Sequence, residues 1–150
     1  MKIALCDDDF IEIGKVENYL NQNRLLNYEF DFFSNGTKLL KHLDNIDVKY
    51  SIYFITIEMA EMSGIEIAQQ IRQLDLHALI IFISNDTIHM PEVFKVQAFD
   101  YLLKPICKDQ LAITMDRAKD YLNKQNIYFD FSFGRKTFFL TLNEIIYISK

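Results

Sequence analysis

The stretch ALIIFISNDTIHMPEVFKVQAFDYLLKP, residues 78–105, decides the fold. It contains an apolar run at 78–83, a proline at position 91 that suits the first turn of a short helix, and a second apolar run at 101–103. Apolar runs without alternation are typical of strands that are buried on both faces, as in parallel sheets. The stretch therefore predicts a strand, a helix and a second strand of one parallel sheet.

The same unit repeats on the amino-terminal side of this stretch and once more after it. Further strands are predicted at 2–6, 28–32 and 52–55, and helices at 13–20, 39–43, 64–72 and 111–122. Polar and aromatic residues alternate at 28–32, which indicates a half-exposed edge strand. Five such units predict an α/β fold: a doubly wound five-stranded parallel sheet with helices on both faces.

The pattern changes beyond residue 126. Aromatic-rich strands are predicted at 127–133 and 137–142, with a third apolar run at 145–148, which together predict a short C-terminal antiparallel β segment. The segment is too short to bury its own aromatic side chains. We therefore predict one domain at 1–123, a linker at 124–126, and at 127–150 the first part of a second domain that continues past the last residue.

Composition excludes several classes of protein. The formal charge of −5 argues against a nucleic-acid-binding surface in this stretch, because phosphate contacts need clustered Lys and Arg. Cys6 and Cys107 form no metal or disulfide pattern, which fits a reducing compartment. With neither a signal peptide nor a membrane-spanning run visible, we expect a soluble cytoplasmic protein without membrane contact.

Polar residues follow the predicted strands at the points where these strands end. Asp7 and Asp8 follow the first strand, Thr56 the third, Ser84 the fourth and Lys104 the fifth. In an open parallel sheet, ligands gather at these carboxyl ends. The two aspartates could hold Mg²⁺, Ser84 could bond a phosphoryl oxygen and Lys104 could neutralise another. Alternatively, the aspartates only cap the first helix.

Other candidate sites are weak. The three histidines, His42, His77 and His89, lie on different predicted elements without a Cys or acid at metal-ligand spacing, so we interpret them as surface or packing residues. The chain contains no phosphate-cradling glycine loop and no nucleophile elbow. We therefore do not expect an enzyme.

At this point residues 1–123 resemble the receiver domains of two-component response regulators, which have a flavodoxin-like fold. The resemblance rests on four motifs, namely IALCDD at 3–8, the loop 59–64, IFIS at 81–84 and AFDYLLKP at 98–105. Residues 138–148, FFLTLNEIIYI, resemble the opening strands of a LytTR-type DNA-binding domain. The combination implies a transcription regulator that answers to a sensor histidine kinase or another regulator, and that contacts DNA only through its C-terminal domain.

One departure from the family pattern matters most. The resemblance implies a phosphoacceptor aspartate at position 56 and usually a proline at position 60, but the chain has Thr56 and Ala60. A threonine hydroxyl is a poor nucleophile and cannot form an acyl phosphate. The implied metal ligands that remain are Asp7, Asp8 and the backbone carbonyl of Glu58, so Mg²⁺ should bind weakly or not at all. We expect the Glu58 side chain in solvent and Asp9 as a helix cap.

The favoured interpretation is an atypical receiver that works without aspartyl phosphorylation. The resemblance implies a switch formed by Ser84 and Tyr101, and dimerisation through the fourth helix, fifth strand and fifth helix; the alternative is that both residues only pack. Two further alternatives stay open. The receiver could still take or bind phosphate at a non-standard site, or the chain could be a pure interaction module whose strand at 127–133 pairs with another chain.

Overall fold

The computed structural model of the chain describes residues 1–23, 28–45 and 49–134, with side chains as far as Gln125. Strands and helices alternate throughout: β1 (Lys2–Cys6), α1 (Phe10–Gln22), β2 (Glu29–Phe33), α2 (Gly36–Asp44), β3 (Ile52–Thr56), α3 (Gly64–Leu74), β4 (Leu79–Ser84), α4 (Met90–Lys95), β5 (Asp100–Leu103) and α5 (Lys108–Gly134). The predicted repeat of strand and helix is confirmed.

The five strands form one parallel sheet in the order β2-β1-β3-β4-β5. Leu5 of β1, for example, lies opposite Phe32 of β2 on one side and opposite Phe54 of β3 on the other. β2 lies at the edge and is only partly buried, as its alternating pattern predicts, whereas every residue of β3 and β4 is buried.

The strand order fixes where the helices lie. Parallel strands are joined by right-handed crossovers, and the step from β1 to β2 runs in the opposite direction to the steps that follow. α1 therefore covers one face of the sheet, and α2, α3 and α4 cover the other. On this second face a single core cluster joins the helices to alternate strand residues; its members include Ala4, Cys6, Tyr53, Ile55, Ile80, Phe82, Leu39, Ile67, Ile71 and Val93.

Local hydrogen bonds start and end the helices. Asp9 accepts from the Ile11 N–H at the start of α1, which confirms its predicted role as a cap. Ser63 and Glu66 form a reciprocal capping box at the start of α3. At the other end of α3, the Arg72 guanidinium donates to the backbone carbonyls of Val96, Gln97 and Ala78 at 2.8, 2.9 and 2.7 Å. These contacts tie α3 to the end of α4 and the start of β4.

The predicted strand at 127–133 is wrong, because α5 continues to Gly134 and includes those residues. The sequence from Lys108 to Phe133 contains no glycine or proline, so nothing interrupts the helix that the stripe of Leu111, Met115 and Ala118 begins. The predicted linker 124–126 also lies within α5. The interaction-module alternative loses its basis at 127–133, and the strands predicted at 137–142 and 145–148 lie outside the described residues.

The chain divides into two compact units, residues 1–112 and 113–150. The whole sheet and all the residues at the carboxyl ends of its strands lie in the first unit. The second is described as the continuation of α5, with surface ion pairs between Lys119 and Asp116 and between Lys124 and Asp120. No helix in the described part of the chain is both long and apolar enough to cross a membrane. The domain boundaries stay a prediction.

Gly64, the first residue of α3, tests how tightly this helix packs against the carboxyl end of β3. A methyl group there would press on the Thr56 carbonyl oxygen and lie 2.9 Å from Ile55 Cγ2. We expect Gly64→Ala to lower the free energy of unfolding by about 3 kcal/mol, because neither neighbour can move without disturbing β3. Gly14→Ala is the control, since its methyl would meet only the Phe10 ring at 3.1 Å and α1 would gain helix propensity. Urea unfolding of both variants measures the difference, and equal stabilities would contradict this account.

Candidate functional site

The polar residues predicted to meet at the carboxyl end of the sheet do so. Asp7 follows β1, Thr56 ends β3, Ser84 ends β4 and Lys104 follows β5. The Thr56 hydroxyl donates to Asp7 Oδ2 at 2.6 Å, and Lys104 Nζ lies 3.9 Å from the same oxygen. β1 and β3 are neighbours at the point where the crossovers change direction, which is where open parallel sheets bind ligands.

Asp7 is a carboxyl group without exposed surface. Burial raises its pKa above the ordinary value; hydrogen bonds from the Thr56 hydroxyl and from the Asp9 N–H (3.0 Å), and the nearby Lys104 ammonium, partly offset that effect. The carboxylate therefore depends on these two hydrogen bonds and on the positive charge of Lys104. Thr56 and Ser84, which are also fully buried, lie on the floor of the site.

Asp8 has a different environment, because it is exposed and its Oδ2 accepts from the Ala60 N–H at 3.0 Å. It lines an open cleft of about 510 Å³ above the floor. The other residues that line the cleft are Asp9, Ile11, Glu12, Glu58, Asn85, Lys104 and Pro105. Four of these eight side chains are carboxylates and only Lys104 is a cation, so the cleft attracts cations and repels anions.

The prediction that the Glu58 side chain lies in solvent is wrong. Its Oε2 accepts from the Ser84 hydroxyl at 2.5 Å and its Oε1 accepts from the Asn85 N–H at 3.1 Å, so the side chain is only 31% exposed. Two donors at the end of β4 satisfy one carboxylate, which holds it against the sheet. No sequence pattern could have shown this, because Glu58 lies in a loop without periodicity.

The two predicted switch residues both contact the loop that follows β4. Ser84 is bonded to Glu58, and its oxygen accepts from the Asp86 N–H at 3.3 Å. The Tyr101 hydroxyl donates to the Asp86 carbonyl at 2.6 Å. The structure thus brings Ser84 and Tyr101 to the same short segment.

The three histidines have different surroundings. His42 packs against the rings of Phe33 and Tyr50, with centroids 5.3 and 6.3 Å away, and His77 is exposed, as predicted for packing and surface residues. His89, which is also predicted to be a surface or packing residue, lies instead beside two carboxylates, those of Glu58 and Glu92. Its Nε2 lies 3.8 Å from Glu58 Oε2, although the two residues are far apart in sequence.

Comparison with known proteins agrees with this geometry. The family model of the response regulator receiver domain matches residues 3–116. The transcriptional regulatory protein NatR of Bacillus subtilis is 29% identical over 126 residues, which cover 83% of this chain and 51% of NatR. The chain spans about half the length of the curated relatives it matches.

Solved structures show the same fold. The response regulatory domain of MrkE from Klebsiella pneumoniae matches with a TM-score of 0.72 at 24% identity, over 83% of this chain and 99% of that domain. TrrA of Thermotoga maritima, solved in complex with Mg²⁺ and beryllofluoride, matches with a TM-score of 0.62 at 26% identity, over 78% of this chain and 97% of TrrA. With its five-stranded parallel sheet and polar carboxyl edge, this chain belongs to the response regulator receiver domains of two-component systems.

Proposed function

We propose that this receiver works without aspartyl phosphorylation, with Thr56 in the place of the phosphoacceptor. The observation that carries the proposal is the hydrogen bond of 2.6 Å from the Thr56 hydroxyl to Asp7. Both residues are fully buried, so a phosphodonor could not reach the hydroxyl without displacing its neighbours. Thr56 acts as a structural donor to a buried carboxylate.

The position of Glu58 supports the same proposal. A phosphoryl group above Thr56 would need hydrogen-bond donors, and the Ser84 hydroxyl and Asn85 N–H are the ones that the end of β4 offers. The Glu58 carboxylate already accepts from both. An incoming phosphate would have to displace this carboxylate and overcome its charge, together with that of Asp8.

Mg²⁺ is expected to bind weakly at most. Asp7 and Asp8 are oxygen ligands of the kind that Mg²⁺ takes, and the Glu58 carbonyl would be the third. Both oxygens of Asp7 and one oxygen of Asp8 already accept hydrogen bonds within the protein, and Thr56 contributes no charge. The oxygen atoms of these residues are therefore suitable ligands for Mg²⁺, but we expect a low affinity. No step of the proposed function depends on the ion.

The chain is proposed to be the signal-input part of a longer transcription regulator. NatR, a transcriptional regulatory protein, is about twice as long as the matched region. The resemblance of 138–148 to a LytTR-type domain suggests that this further part binds DNA, while the receiver answers to a sensor histidine kinase or another regulator. The proposal includes no enzymatic activity.

A homodimer through α4 and β5, extended by α5 as the family resemblance implies, is a second element of the proposal. Phe94 of α4 is 77% exposed and Leu103 of β5 is 44% exposed, which leaves large apolar side chains on this face. Such side chains are typical anchors of protein interfaces.

Intact mass tests phosphorylation independence directly. After incubation with Mg²⁺ and acetyl phosphate, the native chain is expected to keep its mass, while Thr56→Asp gains one phosphoryl group because it restores a carboxylate nucleophile. A phosphoryl adduct on the native chain would overturn the proposal in favour of a non-standard acceptor. If neither chain gains mass, the surrounding pocket has lost the chemistry as well.

The structural role of Thr56 has its own test. Thr56→Val keeps the shape but removes the donor to Asp7, so we expect a loss of about 2 kcal/mol in the free energy of unfolding at pH 7. Because the folded-state pKa of Asp7 is raised, its ionised form destabilises the fold, and protonation at lower pH relieves this. The loss should therefore shrink as the pH falls from 7 towards about 4.

Thr56→Ser is the matched control for that test, because it keeps the hydroxyl and removes only a methyl group. We expect it to lose about 1 kcal/mol at either pH. Urea unfolding at the two pH values distinguishes the variants, and a Thr56→Val loss that is independent of pH would contradict the role assigned to the hydrogen bond.

The dimer is tested by sedimentation velocity. Phe94→Ser is expected to raise the dimer dissociation constant at least tenfold, because a central aromatic anchor is lost. Ile11→Ser is the control, because Ile11 is similarly exposed, at 73%, but lies on α1. Equal effects of the two variants, or none from Phe94→Ser, would exclude this interface.

A further inference from the structure

Three side chains that can ligate a metal converge beside the end of β4, and one of them, Glu58, also lines the cleft. Glu58, Asp86 and His89 each offer one ligand atom, and these atoms all lie within 4.8 Å of one another. One imidazole nitrogen with two carboxylates is a ligand set that Zn²⁺ and similar first-row divalent ions use. We propose that this cluster is a binding site for such an ion, with Zn²⁺ as the reference case.

The His89 ring is already turned towards the other two ligands. Its Nδ1 lies 3.1 Å from Glu92 Oε1, one helical turn further along; because a carboxylate only accepts, Nδ1 is the donor here, and the lone pair of the neutral ring is then on Nε2. Nε2 is the atom that lies 3.8 Å from Glu58 Oε2. A carboxylate that orients the far nitrogen of a ligating histidine is a general feature of metal sites.

Both carboxylates are held in place by donors from the protein. Glu58 accepts from Ser84 and Asn85, and Asp86 Oδ1 accepts from the Ile88 N–H at 2.9 Å. Each carboxylate oxygen has two lone pairs, so these hydrogen bonds leave room for a metal. Ligand atoms of a tetrahedral zinc site are about 3.4 Å apart, given bonds of about 2.1 Å. The ligand atoms lie at most 4.8 Å apart, so binding requires them to approach by no more than about 1.4 Å, which exposed Asp86 can supply.

The charge of the cluster favours a divalent cation. Glu58, Asp86 and Glu92 surround a single imidazole, and in the described part of the chain neither lysine nor arginine forms an ion pair with any of them. Glu58 and His89 are each about 30% exposed, so an ion could enter from solvent and keep water in its remaining positions.

This site is separate from the Asp7 and Asp8 pair, since it uses neither aspartate. It also touches the segment that both predicted switch residues contact: Glu58 holds Ser84, and the Asp86 carbonyl accepts from Tyr101. A metal that draws Glu58 and Asp86 together would therefore act on that segment. This consequence rests on the proposed function, whereas the binding itself does not.

Calorimetric titration with Zn²⁺ tests the site. The whole chain is used with Cys107→Ser, because the Cys107 thiol is exposed and could bind zinc on its own. We expect one equivalent to bind. His89→Ala should weaken binding at least tenfold, and His77→Ala, which removes an exposed histidine elsewhere, should leave it unchanged. Glu92→Gln should weaken it about tenfold by releasing the ring of His89.

Three results would overturn the proposal: no binding by the chain, equal affinities of the His89→Ala and His77→Ala variants, or loss of binding in Asp8→Asn, which would place the ion at the aspartate pair. Urea unfolding of each variant confirms that it is folded. A phosphoryl adduct in the mass experiment would refute the proposed function but leave this titration unaffected, so the two failures are distinguishable.

Discussion

The single reversal of direction among the crossovers is the constraint on which the rest of this structure depends. Because β1 passes first to β2 and all later strands lie on its other side, the carboxyl ends of β1 and β3 are neighbours that no crossover covers. The contact between Asp7 and Thr56 follows from this arrangement. The ends of β1 and β3 lie side by side, so the Thr56 hydroxyl can donate a hydrogen bond to Asp7.

Burial of Asp7 limits which residue types are stable at the end of the neighbouring strand β3. A second carboxylate at the end of β3 would stand within about 3 Å of Asp7 and would need a cation to stabilise the pair. Thr56 supplies a donor instead, so Asp7 is satisfied without an ion. Under the proposed function, a threonine in the place of the phosphoacceptor would remove a nucleophile and a charge repulsion together, and so favour stability of the folded state over phosphoryl chemistry.

The sequence predicts the sheet well because buried parallel strands need unbroken apolar runs, and it predicts the floor of the site because strand ends are easy to locate. It fails where no periodicity constrains a side chain. Glu58 and His89 lie on loops, and only the folded chain shows that they meet. At 127–133 the alternating aromatic residues predict a strand. The sequence contains no helix breaker there, however, and α5 continues through these residues. A short run of alternating residues is weak evidence for a strand where no glycine or proline ends the preceding helix.

Acidity in this receiver is distributed differently from what a phosphoryl pocket requires. The floor holds a carboxylate that is already paired, while Glu58, Asp86 and Glu92 lie around one histidine beside the end of β4. A ligand shifts a conformational equilibrium only through unequal affinity for the two states. An anion is repelled by these carboxylates, and the donors of Ser84 and Asn85 are already bonded to Glu58. A cation would instead bind most tightly when Glu58 and Asp86 approach each other. The segment that contacts Ser84 and Tyr101 would then respond to a positive charge, whereas the same segment of a phosphorylated receiver responds to a negative one.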